Sequence, residues 1–246
     1  MLFRSSSIHS IGNGKLCVYG QGPNIIQLFG PPYSSPSILT LEIDDNLKLE
    51  VESEREPHTA VWIHRFYNNG NYLGEMLDFV DIKTSSFIRH VKINSPLRMR
   101  LNMERNIKTI SNSYCLKKWS INGSILAITQ PGSFFYGKYP VLKEAYHQIM
   151  WDGSIFILES EENDSRDVFC GPGEGTLFIA GGSDYPECMN NSENVLACTY
   201  VEMLNDTKEW WYRCSEGRYD FDKNLSRALK YRDKLIQTIE IGRAHV

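Results

Sequence analysis

Gly175-Thr176-Leu177-Phe178-Ile179-Ala180 is the last clear strand of this 246-residue chain, and the sequence pattern changes directly after it. Upstream, short runs of β-branched, aromatic and alternating apolar residues recur at near-regular spacing, without interleaved helices. Downstream of Gly181 and Gly182, the two-residue period gives way to helical spacing. We therefore predict a mainly β fold, with a large antiparallel β-sandwich over residues 1–182 and a helical linker over residues 183–240.

The strands predicted upstream are recognised by their period and composition. Residues 47–52 and 97–103 alternate apolar with polar or charged side chains, which is the period of a half-buried strand. Arg98 and Arg100 lie on the outward side of the second run, where a solvated face is favoured over an anion site. Further strands are predicted at residues 25–29, 37–43 and 59–67.

Several Gly-containing segments predict turns. Asn122-Gly123 and Asp152-Gly153 have the composition of type I′ hairpins, in which both central residues need a positive φ. The second would join residues 146–150 to residues 154–158, with Trp151 beside the turn. Residues 68–71 are predicted to be a turn. Residues 171–175 are also interpreted as a turn, because they lack the Lys-Ser/Thr ending of a phosphate loop and precede a strand.

Two amphipathic helices are predicted after the last strand. The first runs from about residue 193 to 214, and one face carries Val201, Leu204, Lys208 and Trp211. For Trp210 and Trp211, packing against the sandwich is favoured over stacking on a sugar. The second helix begins near an Asp220 or Asp222 cap, after Gly217, and its apolar stripe is Leu225, Ala228, Leu229, Ile236 and Ile239.

Composition excludes several classes of partner. The formal net charge of −4 provides no electrostatic basis for binding nucleic acid or an anionic membrane. No apolar run approaches the roughly 20 residues of a membrane-spanning helix, and the first ten residues lack the apolar core of a signal peptide. Without a secretion signal, we expect reduced thiols in a cytoplasmic protein. The six cysteines also form no CxxC pair, so they indicate no zinc site; they are Cys17, Cys115, Cys170, Cys188, Cys198 and Cys214.

The motifs predict no catalytic residue, no metal site and no cofactor. Gly-x-Ser-x-Gly, His-Glu-x-x-His and Walker sequences are absent from the chain. His64 is expected to be a structural histidine within a strand, and the isolated His58, His90 and His147 suggest no metal set. The acidic residues 159–167 are expected to form a solvated loop, because they lack the pattern and the glycine of an EF-hand.

The last six residues, Ile241 to Val246, match one reading frame of a common sequencing-library adapter followed by a stop. We therefore expect residues 241–246 to be an artefact and the chain to be an N-terminal fragment. The second predicted helix is still running where the adapter sequence begins, and it has no C-cap, which agrees with truncation.

The order of the parts resembles that of a known enzyme family. A large sandwich ends in the strand at 175–180, an acidic helix with a late tryptophan follows at 200–211, and a further helix spans 225–239. This is similar to the N-terminal supersandwich and linker of prokaryotic glucoamylase-type glycoside hydrolases. The resemblance implies a following (α/α)₆ barrel that hydrolyses α-glucosidic bonds with inversion, through two glutamates that lie outside this chain. The expected partners are that barrel and an oligo- or polysaccharide, and the fragment itself is expected to be inactive.

Two other functions stay open at the level of sequence. The chain can be a self-contained carbohydrate-binding or interaction module that uses exposed aromatic rings such as Trp151 or Tyr136. It can also be an enzyme with an acidic cleft in the sandwich, although no pair of carboxylates is singled out. The fragment hypothesis differs from both, because it predicts an exposed apolar stripe on residues 225–239 and hence self-association.

Overall fold

The computed structural model describes residues 2–3, 8–31, 37–44, 49–104, 107–111, 120–129, 135–136, 139–140, 144–159 and 165–215. In chain order, the first strands are β1 (Leu2–Phe3), β2 (Ile8–Gly12), β3 (Cys17–Gln21), β4 (Asn24–Phe29), β5 (Leu39–Ile43), β6 (Glu50–Arg55), β7 (Trp62–Asn68), β8 (Asn71–Val80) and β9 (Ser86–Ile93). They are followed by β10 (Leu97–Met103), β11 (Ile107–Ser111), β12 (Gly123–Thr129), β13 (Phe135–Tyr136), β14 (Tyr139–Pro140), β15 (Ala145–Trp151), β16 (Ile155–Glu159), β17 (Ser165–Cys170) and β18 (Gly173–Gly182). Two helices come after β18, namely α1 (Tyr185–Leu196) and α2 (Tyr200–Ser215).

The strands form two large sheets, which confirms the predicted mainly β sandwich. Within the described residues, one sheet has nine strands in the order β1-β6-β7-β8-β9-β18-β15-β12-β11, and the other has seven in the order β16-β17-β10-β5-β4-β3-β2. Neighbouring strands pair antiparallel, except that β1 runs parallel to β6. The predicted strand at 175–180 lies within β18, which pairs with both β9 and β15 in the interior of the nine-stranded sheet.

The main core lies between the two sheets, because alternate residues of each strand point to opposite faces. Strand β10 shows this alternation clearly. Leu97, Met99 and Leu101 are buried among apolar residues of both sheets. Arg98 and Arg100 lie on the opposite, outer side of the same strand, as the two-residue period predicts.

Helices α1 and α2 cover the outer face of the nine-stranded sheet. Val195, Met203 and Leu204 form a second apolar cluster with the sheet residues Val61, Phe79, Ile88, Met150, Phe178 and Ala180. Asp184 caps α1 by accepting a hydrogen bond from the Glu187 backbone N–H, so helical structure begins earlier than residue 193. These helices therefore contribute a core of their own to the sandwich.

The predicted apolar face of α2 is only partly correct. Leu204 and Trp211 are buried, and Lys208 pairs with Glu56 at 2.7 Å. Val201, however, is exposed, because the buried side of the helix is turned toward Met203 and Thr207. The second predicted helix and the terminal six residues lie outside the described residues; this applies to Gly217, Asp220, Asp222, Leu225, Ala228, Leu229, Ile236, Ile239 and residues 241–246.

The predicted hairpin at Asp152-Gly153 is wrong, because these residues form a corner at which the chain crosses between sheets. Strand β15 belongs to the nine-stranded sheet, whereas β16 belongs to the other. Of the two residues only Gly153 has a positive φ, 57°, so a type I′ turn is not formed. Asp152 Oδ1 instead accepts a hydrogen bond from the Thr176 backbone N–H at 2.7 Å, which ties this corner to β18.

Asn122-Gly123 is also not a type I′ turn, since neither residue has a positive φ and Gly123 already pairs with Trp151 as the first residue of β12. Both central residues of the turn at 68–71 do have positive φ, 49° at Asn69 and 77° at Gly70. They connect β7 to β8 in the manner that a type I′ hairpin requires.

A buried ion pair lies between the sheets. Arg89 donates through Nε and Nη2 to the two carboxylate oxygens of Asp78, at 2.8 and 2.6 Å, and through Nη2 to the Pro23 carbonyl oxygen at 2.7 Å. His64 Nε2 lies 3.4 Å from Asp78, and His64 Nδ1 lies 2.8 Å from Ser53 Oγ. Burial alone would raise the pKa of Asp78, but the charge and hydrogen bonds of Arg89, with a smaller effect of His64, lower it from 3.8 to about 2.

His147 is a buried histidine whose charge state makes stability depend on pH. Its Nε2 donates to the Gly30 carbonyl oxygen at 2.5 Å, so the neutral ring carries its proton on Nε2. Burial lowers the pKa of His147 from 6.5 to about 4, and the bond to Gly30 offsets this only in part. Between these pH values the unfolded chain binds a proton that the folded chain does not bind.

We therefore expect His147 to contribute stability fully above pH 6.5 and to lose about 3 kcal/mol of it as the pH falls toward 4. The check is urea unfolding at several pH values for the wild type and for His147→Gln, since glutamine can still donate to Gly30. The free energy of unfolding of the variant should vary less over this pH range. Equal pH dependence in the two proteins would contradict the assignment.

Candidate functional site

Of the two aromatic residues that the sequence nominated for sugar stacking, only Trp151 has a described side chain, and that side chain is buried. Trp151 is only 7% exposed and belongs to the main core, so the expectation of an exposed ring is wrong for this residue. Its indole fills the space beside Gly123, where a Cβ atom would collide with the ring. The backbone of Tyr136 lies in β13, but its side chain lies outside the described part of the chain.

The described histidines each have a structural environment. In the part of the chain that the structure describes, no group of three His, Cys, Asp or Glu side chains is placed to hold a metal ion. His64 is fully buried beside Asp78 and Ser53, as expected for a structural histidine. His90 stacks on the ring of Tyr200 at 3.5 Å, and its Nδ1 lies 3.1 Å from Thr176 Oγ1, so it attaches α2 to the sheet.

The outer face of the seven-stranded sheet, on which neither α1 nor α2 packs, carries an organised set of polar side chains. We call the outward residues of β5, β10 and β17, together with Asp44 directly after β5, the polar face; they are Thr40, Glu42, Asp44, Arg98, Arg100, Asn102, Ser165, Asp167 and Phe169. Register places them in rows that cross the strands, since Arg100 lies opposite both Glu42 and Asp167. Asn102 lies opposite Thr40 and donates to its Oγ1 at 3.2 Å.

Arg98 is held in the polar face by two carboxylates and an aromatic ring. Its Nε and Nη2 donate to the two carboxylate oxygens of Asp167 at 3.3 and 2.7 Å, and Nη1 lies 4.0 Å from Asp44. The guanidinium lies above the ring of Phe169, 5.4 Å from its centre. The hydrogen bonds to Asp167 raise the pKa of Arg98 further, so this group stays a cation and a donor. A bidentate pair over an aromatic ring restrains the side chain in one orientation.

A groove of about 230 Å³ runs across the polar face. It is lined by Glu42, Ile43, Asp44, Arg98, Met99, Arg100 and Asp167. Arg100 and Glu42 are exposed, and within the described residues neither makes an ion pair. Among the described residues, the groove therefore places the guanidinium of Arg100 and the carboxylate of Glu42 beside the Arg98–Asp167 pair without an ion-pair partner of their own.

An apolar border flanks the polar face at the edge of the sheet. Strand β16 places Phe156 opposite Phe169 and Leu158 opposite Asp167. Both β16 side chains are large and exposed. A ligand with a polar rim and an apolar surface could contact both kinds of residue together.

Sequence reasoning recognised only part of this site. The period of β10 marked Arg98 and Arg100 as outward residues, but favoured a solvated face over a binding site. The sequence predicts Asp167 to lie in a solvated loop, and no motif identifies Glu42 or Asp44 as site residues. They meet because β10 pairs with β5 on one side and with β17 on the other, which no local pattern reveals.

Comparison with known proteins assigns no family. A scan against protein-family models and a search of curated proteins each found no match to this chain. Among the described residues, no helix has both the length and the apolar character needed to cross a membrane.

Proposed function

We propose that this chain is the non-catalytic β-sandwich of a cytoplasmic, glucoamylase-type glycoside hydrolase, and that its polar face binds neutral α-glucan for a catalytic barrel elsewhere in the parent protein. The observation that carries the proposal is the groove on the polar face, where Asp167 holds Arg98 beside Arg100 and Glu42, two exposed charged groups that make no ion pair with any described residue. Among the described residues, Cys17, Cys170, Cys188 and Cys198 form no disulfide, which is compatible with a reducing compartment.

The groove chemistry suits a sugar, because each sugar hydroxyl both donates and accepts hydrogen bonds. Guanidinium groups supply only donors and carboxylates supply only acceptors, and the groove alternates the two types. Arg98 and Asp167 already restrain each other, so less side-chain freedom is lost when a ligand binds. The exposed rings and aliphatic groups of the apolar border are available to the less polar side of a pyranose ring.

The charge of the groove favours a neutral ligand. Its lining contains three carboxylates, on Glu42, Asp44 and Asp167, against the two guanidinium groups of Arg98 and Arg100. An acidic sugar would place a further carboxylate beside these three, and the repulsion between like charges would weaken its binding. We therefore expect a neutral oligosaccharide to bind more tightly than a uronic acid oligomer of the same length.

The arrangement supports binding better than hydrolysis. Glycoside hydrolysis needs one carboxyl group that donates a proton and a second that activates water or attacks the sugar. Arg98 forms ion pairs with two of the three groove carboxylates: it donates hydrogen bonds to Asp167, and its Nη1 lies 4.0 Å from Asp44. Only Glu42 is left without such a partner among the described residues, so a matched acid and base pair is not formed.

The test is calorimetric titration of the purified chain with maltoheptaose, compared with Arg100→Ala. Removing a charged donor should weaken binding about tenfold or more. The matched control is Arg65→Ala, which removes a half-buried arginine on the other sheet that pairs with Glu54. This control should bind like the wild type, and a galacturonic acid oligomer should bind more weakly than maltoheptaose.

Three outcomes would contradict the proposal. The first is no binding of maltoheptaose by the wild type, and the second is equal binding by the wild type and Arg100→Ala. The third is release of glucose from maltoheptaose that is lost in Glu42→Gln, because this would assign catalysis to the sandwich itself.

A self-contained binding module is the second candidate, and the packing of α1 and α2 favours it. These helices bury Val195, Met203 and Leu204 against the nine-stranded sheet, so they complete the sandwich. Limited proteolysis distinguishes the two ideas. Protection of the chain through residue 215 without a catalytic domain would favour the module, whereas rapid loss of α1 and α2 would favour the fragment.

A further inference from the structure

The chain contains three Asn-Gly dipeptides, and the structure places them in three different environments. They are Asn13-Gly14, Asn69-Gly70 and Asn122-Gly123. In such a dipeptide the backbone nitrogen of the glycine can attack the side-chain amide of the asparagine, because glycine has no Cβ atom to hinder the approach. The asparagine side chain must rotate toward that nitrogen. Hydrogen bonds that hold the side chain in another orientation therefore slow the reaction.

The Asn13 side chain is held through both of its polar atoms. Its Nδ2 donates to the carbonyl oxygens of Asp81 and Thr84 at 2.7 and 2.6 Å. Its Oδ1 accepts from the backbone N–H groups of Lys15 and Leu16 at 3.0 and 3.1 Å. Rotation of this side chain toward the next backbone nitrogen would break all four hydrogen bonds.

The Asn122 side chain is held at the corner where the chain crosses between the sheets. Its Nδ2 donates to the carbonyl oxygens of Gly153 and Ile155, each at 2.8 Å. The glycine that follows Asn122 is already the first residue of β12, and the indole of Trp151 lies against it. Reaction at this position would therefore require the loss of two hydrogen bonds and a local opening of the strand.

Asn69 differs from both, because its side chain has no hydrogen-bond partner among the described residues. Asn69 and Gly70 are both exposed, and they form the tip of the β7–β8 hairpin. A Cβ atom at Gly70 would meet nothing beyond its chain neighbours within 4 Å, so the approach to this nitrogen is open. Ring closure requires the turn to open briefly, and local opening costs least at an exposed turn.

We propose that Asn69 is a site of spontaneous deamidation in the folded protein, whereas Asn13 and Asn122 are protected by their hydrogen bonds. The Gly70 nitrogen forms a bond to Asn69 Cγ as the Cγ–Nδ2 bond breaks. The proton of the Gly70 N–H passes through water to Nδ2, which leaves as ammonia. Water then adds to either carbonyl of the cyclic imide and opens it. The products are an aspartate and an isoaspartate, in which the main chain runs through Cβ and Cγ.

The two products affect the hairpin differently. Aspartate tolerates a positive φ, so the aspartate form retains the turn and adds one negative charge. The isoaspartate form adds one atom to the backbone between β7 and β8, so the two-residue turn can no longer close in its native geometry. The edge-on contact of Tyr67 with Tyr72 beside the tip, with ring centres 5.7 Å apart, should weaken in that form.

Peptide mapping by mass spectrometry, after incubation of the intact chain at mildly alkaline pH, tests this site. Trypsin places the three asparagines on separate peptides, which are residues 5–15, 66–83 and 119–138. In the folded protein, Asn69 should be converted about tenfold or more faster than Asn13 and Asn122. The control variant is Asn69→Gln, whose longer side chain would have to close a larger ring, and it should abolish the mass change of the middle peptide.

The same incubation in urea separates the effect of the fold from that of the dipeptide. In the unfolded chain all three asparagines should react at similar rates, since each is followed by glycine and none is held. Conversion of Asn13 or Asn122 as fast as that of Asn69 in the folded protein would overturn the proposal. So would an Asn69 that reacts only in urea, or a preference for Asn69 that is unchanged in urea.

Discussion

Replacing Arg89 by methionine is expected to lower the free energy of unfolding by about 3–5 kcal/mol, because it leaves the buried carboxylate of Asp78 without its cation. Arg89 is fully buried and makes both hydrogen bonds to that carboxylate. It also donates to the Pro23 carbonyl oxygen, which would lose this partner. The measurement is urea unfolding of the wild type and the variant at neutral pH.

The double variant Arg89→Met/Asp78→Leu is the control for this prediction. It removes both charges, so it should be less destabilised than Arg89→Met despite carrying one more substitution. A single variant that loses less than about 1 kcal/mol would show that the ion pair is not an important determinant of stability. In the wild type, the contribution of Asp78 is complete above its unfolded pKa of 3.8 and is lost as the pH falls toward about 2.

Replacing Trp211 by alanine is expected to destabilise the protein by about 3–5 kcal/mol, whereas Trp210→Ala should cost less than about 1 kcal/mol. The two residues are adjacent on α2, but Trp211 is 5% exposed and Trp210 is 38% exposed. Trp211 belongs to the main hydrophobic core, so its removal leaves a cavity where α2 meets the sandwich. Trp210→Ala is thus a control of the same residue type on the same helix.

Thermal and urea unfolding of the two tryptophan variants check this prediction. Comparable losses of stability in both would contradict the assignment of Trp211 as the residue that attaches the helix. A large loss confined to Trp210→Ala would reverse the assignment. Limited proteolysis of Trp211→Ala should also show earlier cleavage within α2, because the packing of this helix depends on that side chain.

Local patterns predicted the elements well where one face of an element is buried and the other is not. The alternation in residues 97–103 predicted β10 with the bounds that the structure has. The helical spacing of Leu204 and Trp211 predicted the segment now seen as α2, although the buried face is turned away from Val201. In these cases the spacing of the apolar side chains places them on one face of the strand or helix, and that face is the one that is buried.

Local patterns failed where the position of a residue depends on a contact with a distant segment of the chain. Asp152-Gly153 has hairpin composition, yet Asp152 caps the backbone N–H of Thr176 and the chain crosses to the other sheet. Trp151 is aromatic and close to a turn, yet it fills the gap that Gly123 leaves on the neighbouring strand. In both cases the contacting residue lies more than 20 positions away in the sequence, so the local pattern does not predict the contact.

The sequence by itself determined that this chain is mainly β with helices after the last strand, because residue periods and Gly-rich turns act locally. Only the tertiary structure decided that Arg98 meets Asp167 and Asp44, that Arg89 is buried with Asp78, and that β16 forms an edge. Strand order and register arise from packing between residues far apart in the chain, and a site made by three neighbouring strands exists only after those strands have paired.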